Sequence, residues 1–158
     1  DAVILALDNP SMKNLVSIEG SKSCSTTTFY YKLKKDEISA KPVLYLKEKS
    51  EITTICFPNR ISPNYAPVGY DLLSVSTLGK VDVKEEICDL FKITDSKLSL
   101  LDKISIKHAL PMQNNAPVNP EIKNGVFLAG EAVGKASING AIASGKKAAK
   151  TCLASFFD

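Results

Sequence analysis

Five of the chain's eight glycines fall between positions 125 and 145, at Gly125, Gly130, Gly134, Gly140 and Gly145, and what surrounds them constrains the fold more than any other feature. Val126-Phe127-Leu128-Ala129 reads as a short buried strand, Gly130 opens a loop, and Ser137 stands where a helix cap belongs. Ile138 to Phe156 then reads as a helix. A strand that feeds a glycine-bearing loop and a helix start presents N–H groups that no helical carbonyl takes. Such a terminus suits an anionic or hydrogen-bond-accepting ligand, and the helix dipole adds about 0.3–1 kcal/mol of preference for negative charge. Ser137 can cap by accepting from the N–H of Asn139 or Gly140. Within the helix, Gly140, Ser144 and Ala148 lie four apart, as do Ala141, Gly145 and Ala149. Two adjacent stripes of small residues permit close backbone approach, either to a sheet or to a flat ligand. Both readings stand on the residues alone.

Two phosphate-binding motifs can be tested here. The dinucleotide fingerprint GxGxxG is absent, since no two glycines are two apart. The P-loop pattern GxxxxGK[ST] has a near match in Gly130-Glu131-Ala132-Val133-Gly134-Lys135-Ala136-Ser137. Only three residues separate its glycines, which shortens the phosphate cradle, and Ala136 stands where a hydroxyl should hold magnesium. A P-loop-like nucleotide binder is therefore the weaker reading.

Upstream, the unbroken apolar run Ala2 to Leu7 suits a strand buried on both faces, as in a parallel sheet. A short helix is expected near Ser11 to Val16. Thr26 to Leu33, Val43 to Leu46, Ile52 to Phe57 and Asp71 to Leu78 are rich in β-branched and aromatic residues and predict strands, with antiparallel pairing the economical arrangement. Val83, Ile87, Leu90 and Phe91 share one face of a helix from Asp82 to Phe91, which Asp82 can cap. Ile104 to Leu110 predicts a further strand, and Gln113 to Asn124, rich in Asn and Pro, a loop.

Composition narrows the function classes. The 158 residues carry a net charge of +3, too slight and too dispersed for a nucleic-acid-binding face. Lys32, Lys34 and Lys35 cluster, but Asp36 and Glu37 follow at once, as at a solvated hairpin end. No apolar run approaches the roughly 20 residues that span a bilayer. The four cysteines, at 24, 56, 88 and 152, form no CxxC pair, so no zinc site or other metal is expected; free thiols in a cytoplasmic protein are. His108 is the one histidine, and no Ser or Cys partner for nucleophilic chemistry stands out. Tyr30, Tyr31, Tyr65 and Tyr70 suit packing better than a substrate pocket.

Taken together, Val126 to Glu131, Ser137 to Ile142 and Ser144-Gly145 with Ala148-Ala149 resemble the last FAD-binding motif of the flavin-containing amine oxidase and phytoene desaturase superfamily. There the strand ends in Gly-Asp and a Gly-Ala-Ile-x-Ser-Gly helix follows. Ala109-Leu110-Pro111 matches the family's Ala-Leu-Pro just upstream, and Asp1 to Ala6 is similar to its strand returning to the cofactor domain. Tyr65-Ala66-Pro67 and Leu73 to Ser76 resemble the substrate-domain region of desaturase-like members. The match is specific from about 109 to 149.

The resemblance implies an FAD cofactor. Gly130 would end the strand, the acid at Glu131 would bind a ribityl hydroxyl, and Ser137, Ile138 and Asn139 would bring the helix start beside the flavin pyrimidine edge. Gly140 and Ala141 would let the ring approach, and His108 could face the flavin or substrate cavity. Glu131 departs from the family's Asp by one methylene. The family's GxGxxG, which holds the FAD pyrophosphate, is missing, so the expectation is a C-terminal piece whose N-terminal FAD-binding half lies elsewhere. That Asp1 opens inside an apolar run adds to this expectation.

The expected fold is thus mixed α/β (α+β). Residues 1–19 would return to the FAD domain, 20–110 would form a β-rich substrate domain, and 111–158 would form the FAD-binding strand-loop-helix. The expected function is hydride transfer from a small-molecule substrate, amine or apolar, to flavin. Two alternatives are a non-enzymatic α/β interaction domain that keeps an oxidoreductase remnant, and a subunit whose cofactor half is a separate chain.

Overall fold

The computed structural model describes residues 1–16, 22–39, 42, 50–79, 82–112, 121–123 and 125–157. In chain order its elements are β1 (Val3–Leu5), α1 (Asn9–Lys13), β2 (Ser23–Lys34), β3 (Ile52–Cys56), α2 (Pro58–Ile61), β4 (Tyr70–Leu78), α3 (Lys84–Phe91), β5 (Ser99–Pro111), β6 (Glu121–Lys123), β7 (Val126–Leu128) and α4 (Ile138–Phe157). Short 3₁₀ turns occupy Pro63–Tyr65 and Asp95–Lys97. The fold is mixed α and β. It separates into two compact units, one of Asp1–Cys24 with Leu110–Asp158 and one of Ser25–Ala109.

The first unit is built on a three-stranded sheet of order β1-β7-β6. β1 and β7 run parallel, with Val3 beside Val126 and Leu5 beside Leu128, while β6 is antiparallel to β7. A left-handed φ of 81° at Gly125 shapes the turn into β7, and a Cβ there would lie 2.9 Å from the Asp1 carbonyl, so glycine is required twice over. Phe127 and Ala129 pack against Ala148 of α4, with Cys152 alongside.

Three expectations for this unit need correction. The apolar run at the N-terminus forms a strand, but it is not buried on both faces: Val3 is 53% and Ile4 43% exposed. β1 is the outer strand of its sheet and has one neighbour among the described residues, so half of the burial its composition suits is lacking. The expected loop from 113 to 124 contains the short strand β6, because pairing with β7 overrides the weak local preference of Glu-Ile-Lys. The expected helix at 11–16 begins earlier, at Asn9, with Pro10 in its first turn.

The second unit is a four-stranded sheet of order β3-β4-β2-β5. β4 pairs antiparallel with both β2 and β3. Period-two alternation puts Phe29, Tyr31 and Leu33 of β2 with Leu73 and Val75 of β4 in one buried cluster, and a register shift between Ile52 and Thr54 brings both Ile52 and Ile55 of β3 into it. Val83 and Ile87 of α3 join that cluster. The helix starts two residues later than expected, with Val83 and not Asp82 in the N-cap position, although Asp82 Oδ1 accepts from the Lys84 N–H at 3.0 Å; Leu90 is 40% exposed and leaves the expected apolar face. β5 begins five residues before the expected Ile104, and from Ser99 to His108 every side chain is exposed. The strand expected at 43–46 lies outside the described residues.

Candidate functional site

The geometry after β7 follows from three glycines and two serines. The Ala129 N–H donates to the Leu5 carbonyl at 2.9 Å, which carries the parallel ladder one residue past the strand. Gly130 then takes φ 92°, a left-handed value that strains any residue with a Cβ. The chain turns back through a Val133 N–H to Gly130 carbonyl bond of 3.3 Å. Ser137 closes the loop as a cap, its Oγ accepting from the Gly140 N–H at 3.0 Å and its carbonyl from the Ala141 N–H at 2.9 Å. The Ile138 and Asn139 N–H groups are thus the first-turn donors with no bond to Ser137 or within the helix.

Ser144, one turn into α4 and 5% exposed, ties the two sides together. Its hydroxyl accepts from the Gly130 N–H at 2.9 Å and donates to the Ala141 carbonyl at 2.9 Å. Gly134 lies against the same place, where a Cβ would stand 3.1 Å from both the Gly140 carbonyl and Ser144 Cβ. Gly140 is tighter still: a Cβ there would fall 2.0 Å from the Lys135 carbonyl oxygen. The small-residue stripe of Gly140, Ser144 and Ala148 therefore faces the loop and the sheet. Gly145, on the adjacent stripe, has open space around it.

Of the sequence-predicted residues, Ser137, Ile138, Asn139 and Ala141 are exposed, and Gly130, Glu131 and Gly140 are half-buried. One loop and one helix turn hold all seven. The site can present two N–H donors and the positive end of a twenty-residue helix to an acceptor-bearing ligand, with the Glu131 side chain on the same loop. The donor set fits a hydrogen-bond acceptor that gains negative charge. From its first residue onward, α4 leaves Ile138 83%, Ile142 54% and Leu153 57% exposed, an apolar stripe away from its buried face.

His108 lies on β5, in the Ser25–Ala109 unit. Tyr31 is buried, Tyr30 half-buried, and Tyr65 and Tyr70 are exposed. Burial first, and then the charge of Asp82, pushes the Tyr31 hydroxyl up to about 12, as befits a core side chain. The same unit holds an open cavity of about 780 Å³ whose floor includes Asn59, Arg60 and Asp71.

Sequence reasoning missed that floor. Asp71 is 2% exposed, accepts from Asn59 Nδ2 at 2.7 Å and is ion-paired with Arg60. Arg60 also donates to the Ile38 carbonyl at 2.8 Å. Burial pushes the Asp71 carboxyl up, but the hydrogen bonds from Arg60 and Asn59, with the charges of Arg60 and Lys35, outweigh it and hold the group below its ordinary 3.8. A signal was present: Asp71 occupies the inward register of Leu73, Val75 and Thr77, and Arg60 is the sole arginine of the chain. A carboxylate on a core face calls for such a partner. Among the described residues no three His, Cys, Asp or Glu side chains gather as metal ligands, and no helix is long and apolar enough to cross a membrane.

No protein-family model matches the chain, and no curated protein does. Solved structures do. A Pyrococcus furiosus protein superimposes with a TM-score of 0.52 at 17% identity, over 92% of this chain and 35% of its own. An oxidoreductase from Methanosarcina mazei superimposes with a TM-score of 0.57 at 12% identity, over 95% of this chain and 43% of its own. The chain therefore spans well under half the length of either structure, and what it shares with the oxidoreductase is the fold.

Proposed function

We propose that this chain is the C-terminal part of an FAD-dependent oxidoreductase of the amine oxidase and phytoene desaturase kind, which takes hydride from an amine or apolar substrate. The observation that carries the reading is the turn from β7 into α4. Gly130 in a left-handed conformation, the Ser137 cap and the Ser144 tether fix the loop at the head of a long helix, whose first-turn Ile138 and Asn139 N–H groups have no helical acceptor. FAD, when bound, supplies the hydride-accepting ring. The chain's own residues position and stabilise: the Ile138 and Asn139 N–H groups and the helix dipole favour negative charge at the ring edge, and Glu131 accepts from a ribityl hydroxyl. Gly140 serves this site by letting the loop close against Lys135, a different role from making room for the ring.

The first unit also carries surface that suits a covering layer. A parallel β1–β7 pair is ordinarily buried on both faces, yet Val3, Ile4 and the α4 stripe stand exposed. An FAD-binding half bearing a pyrophosphate loop would cover it, as part of the same polypeptide or as a partner subunit. The fold shared with part of an oxidoreductase is consistent with that reading.

The test is spectroscopic. The native polypeptide that contains these residues, purified with any subunit that accompanies it, should carry or take up flavin absorbing in the visible. Glu131→Ala should weaken that binding by about tenfold, the worth of one hydrogen bond to a charged group. A native polypeptide that neither carries flavin nor binds added FAD would overturn the proposal and favour the non-enzymatic interaction domain.

A further inference from the structure

We propose that the connection between β3 and β4 docks the Ser25–Ala109 unit onto an anionic membrane surface. Three large apolar side chains project from it: Ile61 is 68%, Tyr65 64% and Val68 102% exposed. They are held outward by structure. Pro58, Pro63 and Pro67 punctuate a run of consecutive turns, closed by Ser62 N–H to the Pro58 carbonyl at 3.0 Å, Tyr65 N–H to Ser62 at 3.1 Å and Tyr70 N–H to Pro67 at 3.2 Å. Side chains displayed this way cannot collapse onto the unit's own core, and clusters of them mark interaction surfaces.

The charge beside them selects the occupant. The β2–β4 register puts Lys34 opposite Tyr70 and Lys32 opposite Leu72, and the Lys35 N–H donates to the Gly69 carbonyl at 3.0 Å. All three lysines are exposed, and Lys32 Nζ stands 5.2 Å over the Tyr70 ring. The acids nearby do not cancel them. Asp71 is ion-paired with Arg60 and Glu37 with Lys97, which leaves Asp36 as the opposing charge at the turn. Apolar and aromatic tips on a connection whose Val68–Tyr70 end lies beside lysines match the acyl–headgroup boundary of an anionic bilayer, where the tips enter and the lysines meet lipid phosphates and carboxylates. A second copy of the chain fits less well, since a two-fold contact through this face would set lysine against lysine.

Co-sedimentation of the full chain with phosphatidylcholine vesicles, with and without phosphatidylserine, tests this. Binding is expected only with the anionic lipid, and it should fall by about tenfold or more at high salt and in the double variant Lys34→Glu, Lys35→Glu. The pair Tyr65→Ser, Val68→Asp should abolish it while leaving the circular dichroism melt unchanged, because both side chains are exposed. Folded protein that ignores anionic vesicles, equal binding to neutral ones, or binding indifferent to both variants would overturn the proposal. Self-association without lipid that Val68→Asp relieves would also overturn it, by assigning the surface to a second copy.

Discussion

At the scale of single residues, Gly140 and Gly145 separate two reasons for glycine in one helix. Gly140→Ala should destabilise the unit by about 2 kcal/mol or more, since its Cβ meets backbone, which cannot swing aside. Gly145→Ala should instead stabilise by about 0.5–1 kcal/mol, because it meets nothing and removes unfolded-state freedom from a helix interior. Urea denaturation of both variants checks the pair, and equal effects would refute this assignment. Asp71 provides a prediction in pH. Its carboxyl is held below its ordinary value, so the stability it contributes is present above 3.8 and is lost as pH falls through the lower folded value. Asp71→Ala should therefore cost about 3 kcal/mol near neutrality, where it strands Arg60, and should remove part of the acid-side slope of the wild-type stability curve. Urea melts at neutral pH and well below 3.8 measure both.

At the scale of elements, the decisive joint is the one between β7 and α4. Ser144→Ala removes the acceptor of the Gly130 N–H and should cost about 1–3 kcal/mol. Because the loop and not the core loses its tie, hydrogen exchange should quicken first from Gly130 to Gly134; a uniform loss across both sheets would contradict that. The strand, the loop and the Ser137 cap were legible in sequence because each rests on local chemistry: an apolar run, a glycine, a hydroxyl three residues before the amide it caps. The Ser144 tether was not, since a serine inside a helix carries no mark of the distant amide it meets. The same holds for Arg60 and Asp71, which meet across the β3–β4 connection. The first half of β5 was missed because Leu100-Leu101-Asp102-Lys103 breaks the alternation that identifies a half-buried strand, and the structure shows that stretch exposed on both faces. β1 was identified by composition, but composition cannot say whether a second neighbour stands beside the strand.

At the scale of the molecule, the exposed β1 edge, the outward stripe of α4 and the β7–α4 turn proposed to meet the flavin belong to one unit, and they bear on the flavin test together. The 158-residue chain by itself should bind FAD weakly or not at all, because no phosphate-binding GxGxxG accompanies the donors proposed for the ring edge. Flavin fluorescence titration of the isolated chain reads this directly, and micromolar or tighter binding would refute the two-part site. In the other unit, β5 is the outermost described strand of its sheet and shows Leu100, Leu101, Ile104 and Ile106 to solvent. A strand edge of that length is a template for another chain's strand. Asp102, Lys103 and Lys107 are exposed charges spaced along it, of the kind that disfavours edge-to-edge pairing of identical chains. Resistance to pairing along this edge therefore falls to three exposed charged side chains, one of which, Lys103, also stands 5.0 Å over the core ring of Phe29.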